Sequence, residues 1–141
     1  MATFASEQEV YDLLGKFFEV SATDPELGPT IQASGLVIQF SYSDPDSVIT
    51  IDAATPESSA RFFEVVYGLT DRKPDVLMTM KADVAHRFWL GRVNLLTAIT
   101  RRQIVAKGPI PKILKLLPAI QPAYQKYAEY LHEIGRPDLV S

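Results

Sequence analysis

Leu36, Ile38, Phe40 and Tyr42 alternate with Val37, Gln39, Ser41 and Ser43, the period of a half-buried strand. Asp44-Pro45-Asp46 makes a turn, and Ile49, Ile51 and Ala53 alternate again, so residues 36–53 predict an antiparallel hairpin. Before it the period is helical. Ser6 and Glu9 form a capping-box pair, and Val10, Leu13, Leu14 and Phe17 recur at helix spacing, predicting a helix over 6–21. Asp24-Pro25 ends that helix, because proline disfavours helical geometry in the residue before it. Gly28-Pro29 predicts a loop.

After the hairpin, Arg61–Tyr67 is rich in β-formers and predicts a third strand, although Thr55-Pro56-Glu57 resembles a helix start. Val76, Met78 and Met80 alternate in a fourth. Asp83 caps a short helix through Trp89, closed by Gly91 in the left-handed conformation. Asn94 caps another, carrying Leu95, Leu96 and Ile99. Gln103–Lys107 predicts a fifth strand, and Gly108-Pro109 leads into a long last helix. At ~100° per residue, Ile113, Leu117, Ile120, Tyr124, Tyr127 and Leu131 of that helix fall within about 80° of arc. Lys112, Lys115 and Lys126 cluster on another side. Pro118 removes the amide partner of the Leu114 carbonyl and predicts a kink, and Pro122 does the same to Pro118. The order is α+β: a five-stranded, mostly antiparallel sheet covered by helices on one face. The last stretch reads as an amphipathic, core-facing helix with solvated lysines, or, because a kinked helix packs imperfectly on a sheet, as the wall of a cavity. No repeat or linker divides the chain, so residues 1–141 read as one domain, long enough to bury roughly 70% of its unfolded surface.

The segment Phe88–Ile120 contains no Cys, His, Asp or Glu. Those residues supply most acids, bases, nucleophiles and metal ligands, so an apolar segment without them points to a packed core or a greasy ligand rather than to chemistry. The rest of the chain adds little reactive potential. There is no cysteine, His86 and His132 lack metal-site spacing, and His86 on its short helix reads as a surface residue. Asp44, Asp46 and Asp52 lack the length and glycine of a calcium loop. No nucleophile elbow, phosphate loop or dinucleotide fingerprint occurs. No catalytic residue, cofactor or metal is expected.

Charge refines the picture. The net −3 hides a split: residues 1–80 carry 4 Lys+Arg and 13 Asp+Glu (−9), residues 81–141 carry 10 and 4 (+6). One basic face could meet anionic headgroups, or the two halves could pair internally. An acidic chain without a recognition motif argues against nucleic acid. No apolar run approaches the ~20 residues of a membrane span, and the N-terminus is acidic where a signal peptide is basic, as expected of a cytoplasmic protein.

The run Pro74-Asp75-Val76 to Met80, then His86–Leu96, then Ile104-Val105-Ala106-Lys107-Gly108-Pro109-Ile110, resembles the sterol-carrier-protein type two lipid-binding domain. The Ser34–Phe40 stretch is consistent with it, so the resemblance covers roughly residues 30–130. One position departs: Arg102 stands before the fifth strand where the family usually has glycine. The resemblance implies an apolar tunnel between sheet and helices that takes sterols, fatty acyl chains or phospholipids. The lining expected on this basis is Phe88, Leu95, Leu96, Ile99, Leu114, Leu117 and Ile120, with Arg101, Arg102, Lys112 and Lys115 facing a membrane. The alternatives are an interaction domain that dimerises or binds a partner through its apolar last helix, and an accessory subunit presenting lipid to a separate enzyme.

Overall fold

A computed structural model describes residues 3–54 and 61–140. The N-terminal helix forms as α1 (Glu7–Val10), a π-helical turn (Tyr11–Gly15) and α2 (Lys16–Ala22). Ser6 Oγ accepts from the Glu9 N–H at 3.2 Å, the capping bond read from sequence.

The next segment corrects the sequence reading. Residues Leu27–Ser34 are a helix, α3, and not a loop. The Asp24 carboxylate accepts the N–H groups of Glu26 and Leu27 at 2.7 and 2.9 Å, which starts the helix. Pro29 then falls in the first turn, where the missing N–H has no intrahelical partner to lose.

The sheet comprises β1 (Val37–Ser43), β2 (Ser47–Asp52), β3 (Glu64–Tyr67), β4 (Val76–Lys81) and β5 (Ile104–Lys107), in the order β3-β2-β1-β4-β5. The third strand is shorter than expected, and the competing helix start at Thr55-Pro56-Glu57 lies outside the described residues. The pairs β1–β2, β2–β3 and β4–β5 are antiparallel, and β1–β4 is parallel. Residues opposite one another share a face, so the alternation read along β1 continues across its neighbours. Ile49, Phe40 and Met78 form one inward row; Tyr42, Met80 and Ile104 form the next. On the other face Arg72, in the connection from β3 to β4, pairs with the buried Asp52 at 3.0 Å.

α4 (Ala82–Trp89) follows β4 directly, and Gly91 closes it at φ 78°. α5 (Leu95–Thr100) is capped by Asn94 Oδ1, which accepts from the Thr97 N–H at 3.0 Å. The turn from α5 into β5 needs a left-handed residue, and Arg102 supplies it at φ 60°, where glycine would be unstrained. The expected single last helix divides into α6 (Ile110–Ile120) and α7 (Pro122–Glu133). Pro118 stays inside α6. The hydrogen-bond lapse comes at Pro122, while Gln121 keeps helical dihedrals of −52° and −39°. A short 3-10 turn, Pro137–Leu139, ends the described chain.

The helices and the inward sheet face enclose an aromatic centre. Phe18 stacks on Phe40 at 5.6 Å, Trp89 meets Phe18 edge-on at 5.4 Å, and Phe17 lies 4.9 Å from Tyr127. These contacts fix α2, α4 and α7 against the sheet. The closest backbone approaches of α6 are to α3 and α7.

Candidate functional site

A cavity of about 70 Å³ lies between the sheet, α4, α5 and α6. The sheet contributes Ile38, Phe40, Tyr42, Met78 and Met80, and α6 contributes Ile113, Leu116, Leu117 and Ile120. Trp89 and Phe88 of α4 close one side, and Ile31 of α3 reaches in from another.

Four of the seven expected lining residues reach this cavity: Phe88, Leu95, Leu117 and Ile120. Leu96 does not. It is 55% exposed, because α5 turns Leu95 and Ala98 inward and so directs Leu96 outward. Ile99 and Leu114 are half-buried against the core without lining the cavity. Leu114 sits ~100° around the helix from Ile113, off the stripe that Ile113, Leu117 and Ile120 make. The residues sequence reasoning missed are chiefly on the sheet. Their signal was present in the β1 and β4 alternation, which marks Phe40, Tyr42, Met78 and Met80 as facing the same side.

The lining is almost wholly apolar. Two lining side chains carry a polar atom, Trp89 and Tyr42; Tyr42 is 3% exposed, and its buried hydroxyl has no hydrogen-bond partner among the described residues. An unpaired buried hydroxyl costs roughly 1–3 kcal/mol. Burial, and secondarily the neighbouring Tyr127, pushes its pKa well above the ordinary phenol value, so it stays a neutral donor. Tyr67, by contrast, faces the Glu19 carboxylate on α2 and takes no part in the lining.

Behind the cavity sits His86, which corrects the surface assignment: it is 5% exposed. Its Nε2 lies 2.8 Å from the Leu139 carbonyl and its Nδ1 2.8 Å from the Tyr127 hydroxyl. A carbonyl only accepts, so Nε2 carries the proton, and Tyr127 donates to Nδ1. The neutral ring thus ties α4 to α7 and to the C-terminal turn. Burial lowers the His86 pKa against the opposing pull of the Leu139 carbonyl and Asp83, with Arg92 and Arg87 adding to the lowering.

A pH dependence follows. The folded pKa lies below the unfolded ~6.5, so this group's contribution is full above pH 6.5 and is lost as pH falls through the folded pKa. Melting temperature should therefore decline from about pH 6.5 downward, by at most about 1.4 kcal/mol of stability per pH unit for one proton. His86→Gln should flatten that slope above pH 5, before carboxylates titrate. An equal slope in both proteins would place the acid sensitivity elsewhere.

The four cations expected at a membrane, Arg101, Arg102, Lys112 and Lys115, are all exposed, and none has a carboxylate within ion-pair distance among the described residues. Lys126, grouped with them by helix angle, bridges instead to Asp24 at 3.1 Å and Glu26 at 3.3 Å. Part of the charge split is thus internal. Among the described residues no group of three potential metal ligands occurs, and no helix is long and apolar enough to cross a membrane.

No protein-family model matches the chain, and no curated protein sequence matches it. Solved structures do. A sterol carrier protein 2 domain from Helicoverpa armigera superposes with TM-score 0.64 at 21% identity, over 82% of this chain and 88% of that one. Sterol Carrier Protein 2 from Yarrowia lipolytica gives 0.60 at 13%, over 84% and 91%. The fold is that of sterol carrier protein type two. A third structure with the sterol-carrier fold, a UbiJ-SCP2 ubiquinone synthesis protein, matches with TM-score 0.56 at 18% identity, over 83% and 89%.

Proposed function

We propose that this protein is a non-catalytic binder and carrier of apolar lipids, with the cavity beneath α6 as its binding site. The observation that carries the reading is an almost wholly apolar cavity enclosed between the inward sheet face and α6. The sterol-carrier fold, shared with proteins named for carrying sterols, supports it. So does the lining chemistry, which offers no acid, base or nucleophile beyond one phenol.

The mechanism is partition. Each buried methylene contributes ~0.8 kcal/mol, so an acyl chain yields on the order of 10 kcal/mol before ordering costs. About 70 Å³ holds only a fragment of such a chain, so occupation requires α6 to move outward. Pro118 and Pro122 weaken that helix by leaving the Leu114 and Pro118 carbonyls without intrahelical donors. Fatty acyl chains, sterol-like molecules and phospholipids all present enough apolar surface. Arg101, Arg102, Lys112 and Lys115 would hold the carrier at an anionic surface during exchange, each contributing ~1 kcal/mol there.

The test is transfer of a fluorescent lipid analogue between vesicles. Transfer should be accelerated by the protein and faster from anionic than from neutral donors. Salt should slow it as the Debye length falls from ~10 Å at 0.1 M to ~3 Å at 1 M. Lys112→Glu with Lys115→Glu should suppress the anionic preference and leave solution affinity unchanged. No acceleration from any vesicle would refute the carrier reading. Acceleration indifferent to vesicle charge would refute the role of the cations alone.

A further inference from the structure

We propose a second binding site on the outward face of the sheet: an open groove between the end of β4, the start of β5 and the first turns of α4, which takes a phosphate monoester. It stands independently of the carrier reading.

The groove measures about 600 Å³. Strand alternation puts its floor on the outward face. Ser43 stands opposite Lys81 and Thr79 opposite Val105, out of phase with Tyr42, Met78 and Ile104, which line the apolar cavity. Met80 is the one residue that lines both spaces, so the β4–β5 pair separates them. Asp83, Val84 and Arg87 come from α4, and Arg102 and Gln103 from the turn into β5.

The charges of this lining are unbalanced. Lys81, Arg87 and Arg102 are exposed, and none has a side-chain hydrogen bond or an ion pair among the described residues. Their long side chains are therefore free to close on a bound group. The single acid among the described lining residues, Asp83, already accepts the Thr3 N–H at 2.7 Å. Three cations against one carboxylate leave an excess of two positive charges. A phosphate monoester carries about 1.5 to 2 negative charges at neutral pH, whereas a carboxylate or sulfonate carries one. Ser43, Thr79 and Gln103 add uncharged groups able to donate to phosphate oxygens. The groove exceeds a bare phosphate in size, and Val84 and Val105 offer apolar surface to the body that bears it.

Arg102 distinguishes this groove from an ordinary charged surface. It holds φ 60°, a conformation that glycine adopts without strain and arginine does not. Its side chain gives the fold no bond in return. Strained non-glycine residues gather at ligand sites, where the side chain serves something outside the fold. The guanidinium fork presents paired N–H donors that match two phosphate oxygens.

Titration calorimetry with phenyl phosphate, against benzenesulfonate, tests the site. Phenyl phosphate should bind the wild type at least about 5-fold more tightly, the worth of a further charge at contact in water. Arg102→Gly should weaken it at least about 10-fold, the loss of a charge-assisted pair, with the melting temperature unchanged or raised because glycine accepts the backbone. Arg87→Gln should also weaken it. Lys73→Gln removes a cation beyond the opposite end of β4 and should change affinity by less than about 2-fold at 0.1 M salt. A second arm uses phosphatidylcholine vesicles containing either phosphatidic acid or phosphatidylglycerol. A preference for phosphatidic acid that Arg102→Gly abolishes, without binding of phenyl phosphate, would assign the monoester in this groove to a lipid headgroup. Benzenesulfonate bound as tightly as phenyl phosphate would overturn the ligand class. No binding in either arm, binding indifferent to Arg102→Gly, or equal losses in Arg102→Gly and Lys73→Gln would overturn the site.

Discussion

Gly108→Ala should destabilise this protein by about 3 kcal/mol or more, lowering the melting temperature by roughly 8 °C for a domain of this size. Gly108 adopts φ 126°, outside the range that side-chain-bearing residues accept. A Cβ there would lie 2.3 Å from the Asp75 carbonyl oxygen and 3.1 Å from Val76 Cα. Neither can yield, because Asp75 is fastened to the central strand twice. Its N–H donates to the Val37 carbonyl at 2.8 Å, and its carboxylate accepts the Val37 N–H at 2.9 Å. Strain and overlap therefore add. Chemical or thermal denaturation measures the result, and a melting temperature within 2 °C of the wild type would refute the account of this junction.

The second large effect is on binding. Leu117→Trp should reduce lipid affinity at least about tenfold, a loss of ~1.4 kcal/mol or more, while changing stability by less than ~1 kcal/mol. Leu117 lines the cavity from a half-buried position on α6, so a larger side chain finds space there that the ligand would otherwise use. Leu131→Trp is the contrast. Leu131 is fully buried in close packing outside the cavity, and overpacking such a site costs typically ~1–3 kcal/mol. Calorimetric melting and probe displacement on both variants separate the two cases. If Leu117→Trp destabilises as much as Leu131→Trp and leaves lipid affinity intact, the space beneath α6 is not the binding site. Leu96, which faces solvent, should tolerate arginine without effect on either quantity.

Much of this fold was legible wherever local chemistry decides. The Ser6 and Asn94 caps, the glycine stop at Gly91, the hairpin turn and the alternation of β1 and β4 all depend on residues within a few positions of one another. Arg102 was legible as an anomaly, and its positive φ shows that the turn keeps glycine's conformation without glycine. Some failures occur where a contact outside the local motif overrides its signal. Gly28-Pro29 looked like a loop, yet the Asp24 carboxylate supplies the helix start. His86 looked exposed beside Arg87, yet its partners come from Tyr127 and Leu139, 41 and 53 residues away. Leu96 was misplaced because α5 is too short for periodicity to fix which face turns inward. A cavity between sheet and helices was expected from the family resemblance alone, since composition and spacing are only compatible with one. Its volume was not, since that depends on how far α6 stands from the sheet.

The position of Trp89 gives the protein a gauge of its own. It is the single tryptophan in the chain, and it forms part of the cavity wall, edge-on to Phe17 at 6.0 Å, Phe18 at 5.4 Å and Phe88 at 5.1 Å. Indole emission shifts with the polarity of its surroundings. Filling the cavity with hydrocarbon and wetting it by displacement of α6 therefore move the signal in opposite directions. Under the proposed function, loading, opening and release would be separable in real time without a label.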